Sequence, residues 1–265
     1  MIVILGGAVL MAGCSVDLGR VPGVGLIDTS TDTANNVERT RYCDQEFSLG
    51  DLEEHGLAIG GLVLRHGLEL DDDSGVEYEA ESLTLDVQAD LWTPVLDDVT
   101  VSQLPQVDVA RWYWLRNSIP DDLCLYTYDT VSRRGTLKPA LLGEWSAHLP
   151  QVTYLAFARV EDTWRDNSGQ HNRGIAHSIG RVVILDVDVY DVNRGVCVWS
   201  HEVRKQVNPS YLDQTEYDEN GDPIRRVTTF DEALDDTIKV AIEELKWLGG
   251  TQSPGWQDEV EDGFG

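Results

Sequence analysis

Residues 181–203 read RVVILDVDVYDVNRGVCVWSHEV, and this stretch decides the fold. Leu185, Val187 and Val189 alternate with Asp186 and Asp188, the period of two that sends successive strand side chains to opposite faces. Asn193-Arg194-Gly195 makes a tight turn, and Val196–Val203 returns rich in β-branched and aromatic residues. Two such runs around a short Asn/Gly turn form an antiparallel hairpin.

Working outward, residues 152–161 (VTYLAFARVE) form the strand before the hairpin, and a polar loop with Asn167, Gly169, His171, Asn172 and Gly174 joins them. Beyond the hairpin, residues 208–226 are a polar excursion. Then Phe230, Leu234, Ile238, Ala241, Ile242, Leu245 and Leu248 line one stripe opposite Asp235, Asp236, Lys239 and Glu243. That spacing predicts an amphipathic helix over 229–248. Thr228, Thr229 or Asp231 caps it, acids load its positive end, and Gly249-Gly250 stops it. Upstream, Leu137, Leu141, Trp145 and Leu149 repeat every four residues, with Pro139 in the first turn, Thr136 as candidate cap and Pro150 as terminator. Leu83, Val87, Leu91 and Val95 mark another helical stripe, which Pro94 kinks or begins. Residues 109–115 read as a short helix or a strand, and LCLYTY (123–128) as strand or short helix. The first clear strand is HGLAIGGLVLR (55–65), where Gly60-Gly61 signals a bulge or close packing. This order implies an α/β (α+β) sandwich: a mixed, largely antiparallel sheet, helices packed on one face, and a C-terminal amphipathic helix.

The first fourteen residues, MIVILGGAVLMAGC, set the compartment. The apolar run falls far below the ~20 residues of a spanning helix, and it closes on Met11-Ala12-Gly13-Cys14. It resembles a bacterial lipoprotein signal peptide, with one departure: no Lys or Arg precedes Arg20. The resemblance implies cleavage before Cys14, a covalent lipid on its thiol, and stable anchoring by two or three acyl chains. Ser15, not Asp, follows the cysteine, which in that family implies export to the outer membrane with the domain facing the periplasm. Four segments follow: signal peptide 1–13, lipidated cysteine and flexible tether 14–50, one periplasmic domain 51–248, and an acidic flexible tail 249–265.

The chain carries 47 acidic against 20 basic side chains, a net charge of −27, with none of either sign in residues 1–13. Such a surface repels nucleic acid and anionic lipid, and cytoplasmic nucleic-acid roles are argued against. After lipidation three cysteines remain; Cys197 reads as a small buried hydrophobe, and a Cys43–Cys124 disulfide is the pairing considered.

Three features, the LAIGGLVL strand (57–64), the YLAFARVED strand (154–162) and the 182–200 hairpin ahead of a terminal amphipathic helix, resemble the periplasmic α/β domain of several envelope lipoproteins and secretion proteins. These include the TolB N-terminal domain, the curli-secretion lipoprotein CsgG and the LpoB-type activators of peptidoglycan synthases. The resemblance is one of topology and carries no functional residue across.

No H-E-x-x-H, C-x-x-C or G-x-S-x-G occurs. Asp71, Asp73, Asp218 and Asp222 are weak calcium candidates in acidic loops that lack EF-hand spacing. His171 and His177, with Asp162 or Asp166, are a weak zinc set, and Asp186 with Asp188 a weak carboxylate dyad best read as a solvated acidic row. Trp112, Trp114 and Trp164 are the aromatics that periodicity does not bury, hence the candidate partner surface. Trp145 and Trp199 belong to the core. The expected function is a non-enzymatic, membrane-anchored adaptor or assembly factor without a cofactor beyond the lipid, contacting an envelope protein or itself. An oligomeric secretion or pore accessory is the alternative, and a metal-dependent hydrolase the third reading.

Overall fold

The 181–203 hairpin stands at the centre of a six-stranded sheet. The computed structural model describes residues 37–70, 83–149, 151–166, 179–208 and 227–248. The strands are β1 (Val37–Cys43), β2 (Leu57–Leu64), β3 (Val109–Ala110), β4 (Tyr154–Asp166), β5 (Gly180–Asp191) and β6 (Val196–Val207). Their order is β1-β6-β5-β4-β2-β3. β2 runs parallel to β3 and β4, and every other pairing is antiparallel. The β5–β6 turn closes where the Asp191 carboxylate accepts the Asn193 and Arg194 N–H groups, both at 2.9 Å, and Gly195 takes φ +66°, a conformation that glycine adopts without a Cβ clash.

Alternation along the strands divides the core in two. Val183, Leu185, Val187 and Val189 join Ala156, Ala158 and Val160 on one face. Against them lie α2 (Leu85–Gln103) and α6 (Phe230–Leu245). α6 is the predicted amphipathic helix: Thr229 and Glu232 form a reciprocal capping box, satisfying two N-terminal donors. Its first residue meets α2 through Phe230 edge-on to Trp92, 5.2 Å between centroids. The mixed, largely antiparallel sheet with helices against one face thus matches the sequence expectation. The other face is covered in addition, at its β2–β4 end, by α3 (Trp112–Ser118), α4 (Asp121–Arg134) and α5 (Pro139–Ser146), packed on Leu155, Phe157 and Tyr190.

Several expectations are corrected. Residues 37–50, assigned to the tether, instead form β1 and the start of α1 (Leu49–His55). β1 belongs to the sheet because β6 pairs along its length, a long-range partner that local polarity does not advertise. Pro94 lies inside α2, which continues through it. Two alternatives left open by the sequence are resolved: the 109–115 segment is strand and then helix, and LCLYTY takes the helical alternative within α4. α5 begins with Pro139 as its first residue and Lys138 as N-cap, not Thr136. Cys43 and Cys124 are free thiols, because Cys43 borders the α2/α6 core and Cys124 lies in the α3–α5 core across the sheet.

β2 poses the main packing problem. β4 pairs along it on one side, whereas β3 covers only Leu57 and Ala58 on the other. The remaining outer edge is buried and is closed by side chains. Thr93 Oγ1 accepts the Leu62 N–H at 3.0 Å, and Gln88 Oε1 accepts the Leu64 N–H at 2.9 Å, both from α2. From α4, the Tyr128 hydroxyl donates to the Gly60 carbonyl at 3.4 Å and the Ser132 hydroxyl to the Leu64 carbonyl at 2.8 Å. This close approach requires Gly60-Gly61: a Cβ on Gly60 would fall 2.3 Å from Phe157 Cζ, and one on Gly61 2.6 Å from Tyr128 Cε1.

Thr93→Val keeps the shape and increases apolarity, yet it orphans a buried N–H. It is expected to lower unfolding free energy in urea titration by about 1–3 kcal/mol, the cost of a buried unsatisfied donor. An unchanged midpoint would show that Thr93 does not close the edge.

Candidate functional site

Three consecutive aromatics begin α3, and successive helix positions point about 100° apart. The Asp97 carboxylate of α2 places that helix, accepting the Trp112 N–H at 3.2 Å and binding Arg111 Nε at 2.7 Å. Trp112 therefore turns inward, 5% exposed, 6.2 Å from the Tyr128 ring; it is a core residue, not part of a surface. Tyr113 and Trp114 turn outward, each 71% exposed and edge-to-face at 5.9 Å. Trp164 lies elsewhere, half-buried on β4 with the Arg204 guanidinium 5.0 Å above its ring, a cation–π contact. The three tryptophans do not converge on one surface.

Trp114 gains different neighbours. Leu123, Cys124, Thr127, Tyr128 and Val131 hold α4 to the sheet, so Leu125 (43% exposed) and Tyr126 (62%) face outward. Arg116 of α3 pairs with Asp121 at the start of α4, tying the two helices together. A cleft of about 200 Å³ between α4 and α5 is lined by Tyr126, Asp129, Thr130, Arg133, Arg134 and Lys138, among others. Sequence reasoning missed Leu125 and Tyr126 because it leaves LCLYTY open between strand and short helix; the helical repeat of the buried set is the signal that identifies them.

The opposite reading of the sheet, a carboxylate site, meets buried structural charges. Asp186 and Asp188 do share a face, but both are buried instead of forming a solvated row. Arg41 Nη1 binds Asp186 at 2.7 Å and also reaches Glu202, while Arg159 lies 3.7 Å from Asp186 and pairs with Glu161. Burial pushes Asp186 up against the pull of Arg41 and Arg159. Burial likewise pushes Asp188 up to about 6, although Ser200 and Tyr190 hydrogen-bond it, the latter donating at 2.9 Å. His201 is buried beneath Trp199 and lowered to about 4 by desolvation. The Cys43, Cys124 and Cys197 thiols are all raised by burial, away from the reactive thiolate. Among the described residues, no three His, Cys, Asp or Glu side chains form a group that could hold a metal, and no helix is long and apolar enough to cross a membrane. Cys14, Asp71, Asp73, Asp218, Asp222, His171 and His177 lie outside the described residues.

Neither a protein-family model nor a curated protein matches the sequence. Among solved structures the chain is similar to the PelC dodecamer from Paraburkholderia phytofirmans, at 11% identity and TM-score 0.37, covering 82% of this chain and 99% of that one. It is also similar to the hypothetical protein CT253 from Chlamydia trachomatis, at 7% identity and TM-score 0.43, covering 74% and 97%. A third is the LpoB C-terminal domain from Salmonella enterica, at 12% identity and TM-score 0.33, covering 58% and 82%.

Glu244 on α6 gives the clearest pH signature. Burial, then Glu38 and Glu243, raise it from 4.5 to about 7. The native state therefore binds this proton more tightly than the unfolded chain, and stability falls as pH rises from about 4.5 to about 7. Asp188 acts in the same direction from 3.8 to about 6, while neutral His201 acts oppositely, losing stability as pH falls from 6.5 toward 4. Glu244→Gln is expected to melt higher than the parent at pH 8, the gap closing as pH is lowered toward 4.5. A gap independent of pH would contradict the assignment.

Proposed function

We propose that this chain is a membrane-anchored envelope lipoprotein that acts as an adaptor or assembly factor through protein–protein contacts and catalyses no reaction. Lipid on Cys14 would hold the domain at the outer membrane, and residues 15–36 would let it reach into the periplasm. One observation carries the contact reading. Four of the six exposed large apolar side chains among the described residues, Tyr113, Trp114, Leu125 and Tyr126, belong to the adjoining helices α3 and α4. Burying such side chains against a partner recovers roughly 1.5–3 kcal/mol each, and Trp and Tyr are enriched among residues that dominate interface energies. The core does not use them.

A second reading, an oligomeric secretion accessory, calls on the same surface with another copy as partner. The change of charge sign along α4, from Asp121 and Asp122 to Arg133 and Arg134, favours it.

A photo-crosslinking residue at position 114 or 126 in the native envelope should capture a discrete protein partner, and Cys14→Ser should reduce that capture. Trp114→Ala with the probe at position 126, and Tyr126→Ala with it at 114, should each abolish capture while shifting unfolding free energy by no more than about 0.5 kcal/mol, as exposed substitutions do. Crosslinks to lipid alone, or to no macromolecule, would sink the adaptor reading.

A further inference from the structure

We infer that α4 pairs antiparallel with α4 of a second copy of this chain, about a two-fold axis passing between positions 127 and 128. This rests on the contact reading above and names its partner. The outward stripe of α4 runs Asp121, Asp122, Leu125, Tyr126, Asp129, Arg133, Arg134. It is acidic at the N-terminal end, apolar in the middle and basic at the C-terminal end. Reversing the helix about that axis sets Asp122 opposite Arg133, Asp121 opposite Arg134, and Tyr126 opposite Asp129. A two-fold contact must be self-complementary in this way. At about 1.5 Å rise per residue the two Tyr126 rings lie about 4.5 Å apart along the axis.

Three further observations fit. The α4–α5 cleft opens beside Tyr126, Asp129 and Thr130, at the level the second copy's Tyr126 reaches. Its volume of about 200 Å³ lies below the ~300 Å³ where small-molecule sites begin, so a side chain suits it better than a cofactor. Asp122, Arg134 and Lys138 make no ion pair among the described residues, whereas Arg133 leans back on Asp129 at 2.6 Å and Arg116 holds Asp121. Two copies that each carry −27 repel, so a self-contact must sit where the surface sign reverses. The basic end of α4, extended by Lys138, provides that reversal. α3 flanks the acidic end of α4, and the reversal brings Tyr113 and Trp114 toward the second copy's Arg133, Arg134 and Lys138. Aromatic faces there attract guanidinium and ammonium groups.

A single helix pair flanked by short helices would sit near the ~1,200 Å² low end of specific interfaces, among the transient contacts, and the expected Kd is on the order of micromolar. The test is sedimentation velocity on the full chain carrying Cys14→Ser, which removes only the lipid acceptor, up to about 200 µM, well above such a Kd. A concentration-dependent monomer–dimer equilibrium is expected. Asp122→Lys alone and Arg133→Glu alone should each weaken it at least roughly tenfold, because like charges then meet twice. An equimolar mixture of the two variants should recover the dimer, since both opposite-charge pairs return in the mixed species. Circular dichroism melting of each variant verifies that it folds. A parent that stays monomeric, single variants that dimerise like the parent, or a mixture that fails to recover would each overturn the inference. A monomeric parent whose Tyr126 still crosslinks to another envelope protein would remove the self-pairing and leave the adaptor reading intact. Loss of both would remove both.

Discussion

The outer edge of β2 is the constraint on which the rest of the structure depends. A strand buried on both faces yet paired on only one side leaves N–H and C=O groups that water cannot reach. Each such group costs free energy comparable to a lost hydrogen bond. Here β3 ends after two residues, and α2 and α4 flank the edge with Gln88, Thr93, Tyr128 and Ser132. These four side chains take the place of the rest of β3. They also block that edge as a template for another chain.

Closing the edge fixes how α4 is turned. With Tyr128 and Ser132 directed at β2, and with Leu123, Cys124 and Val131 in the core, the helical repeat leaves Leu125, Tyr126, Arg133 and Arg134 outward. The surface proposed for partner contact is thus a geometric consequence of the way the sheet edge is satisfied. α3 is set in turn by Asp97 on α2 and by Arg116 to Asp121, which orients Tyr113 and Trp114 outward beside α4.

Elements whose signals are local were legible in the sequence. The β5–β6 hairpin has a strict alternation and a turn that asks for glycine, and α6 has an apolar stripe with a cap at its head. β1 and α4 were not legible, for different reasons. β1 carries Glu38, Arg39 and Arg41 in seven residues and gains its place only by pairing with β6 and by Arg41 binding Asp186 and Glu202. α4 hides its pattern because its inward face includes Thr127, Thr130 and Ser132, which are polar yet buried. α2 was legible as a helix, but its stripe of Leu83, Val87, Leu91 and Val95 is only half-buried, while Gln88, Thr93, Asp97 and Thr100 are among its buried residues. Of the candidate surface, Trp114 was found from sequence, Trp112 was misplaced because three adjacent aromatics do not reveal which one the helix turns inward, and Tyr126 was missed along with its helix. Asp186 and Asp188 looked like a solvated row because the cations that accompany them, Arg41 and Arg159, come from other strands.

Amide hydrogen exchange at Leu62 and Leu64 tests the edge closure most directly. If Thr93 and Gln88 hold these two N–H groups, both should exchange only through global unfolding, as slowly as the central amides of β5, despite the lack of a neighbouring strand on that side. Exchange at the faster rate of locally opening segments would contradict it, and with it the reason for the orientation of α4.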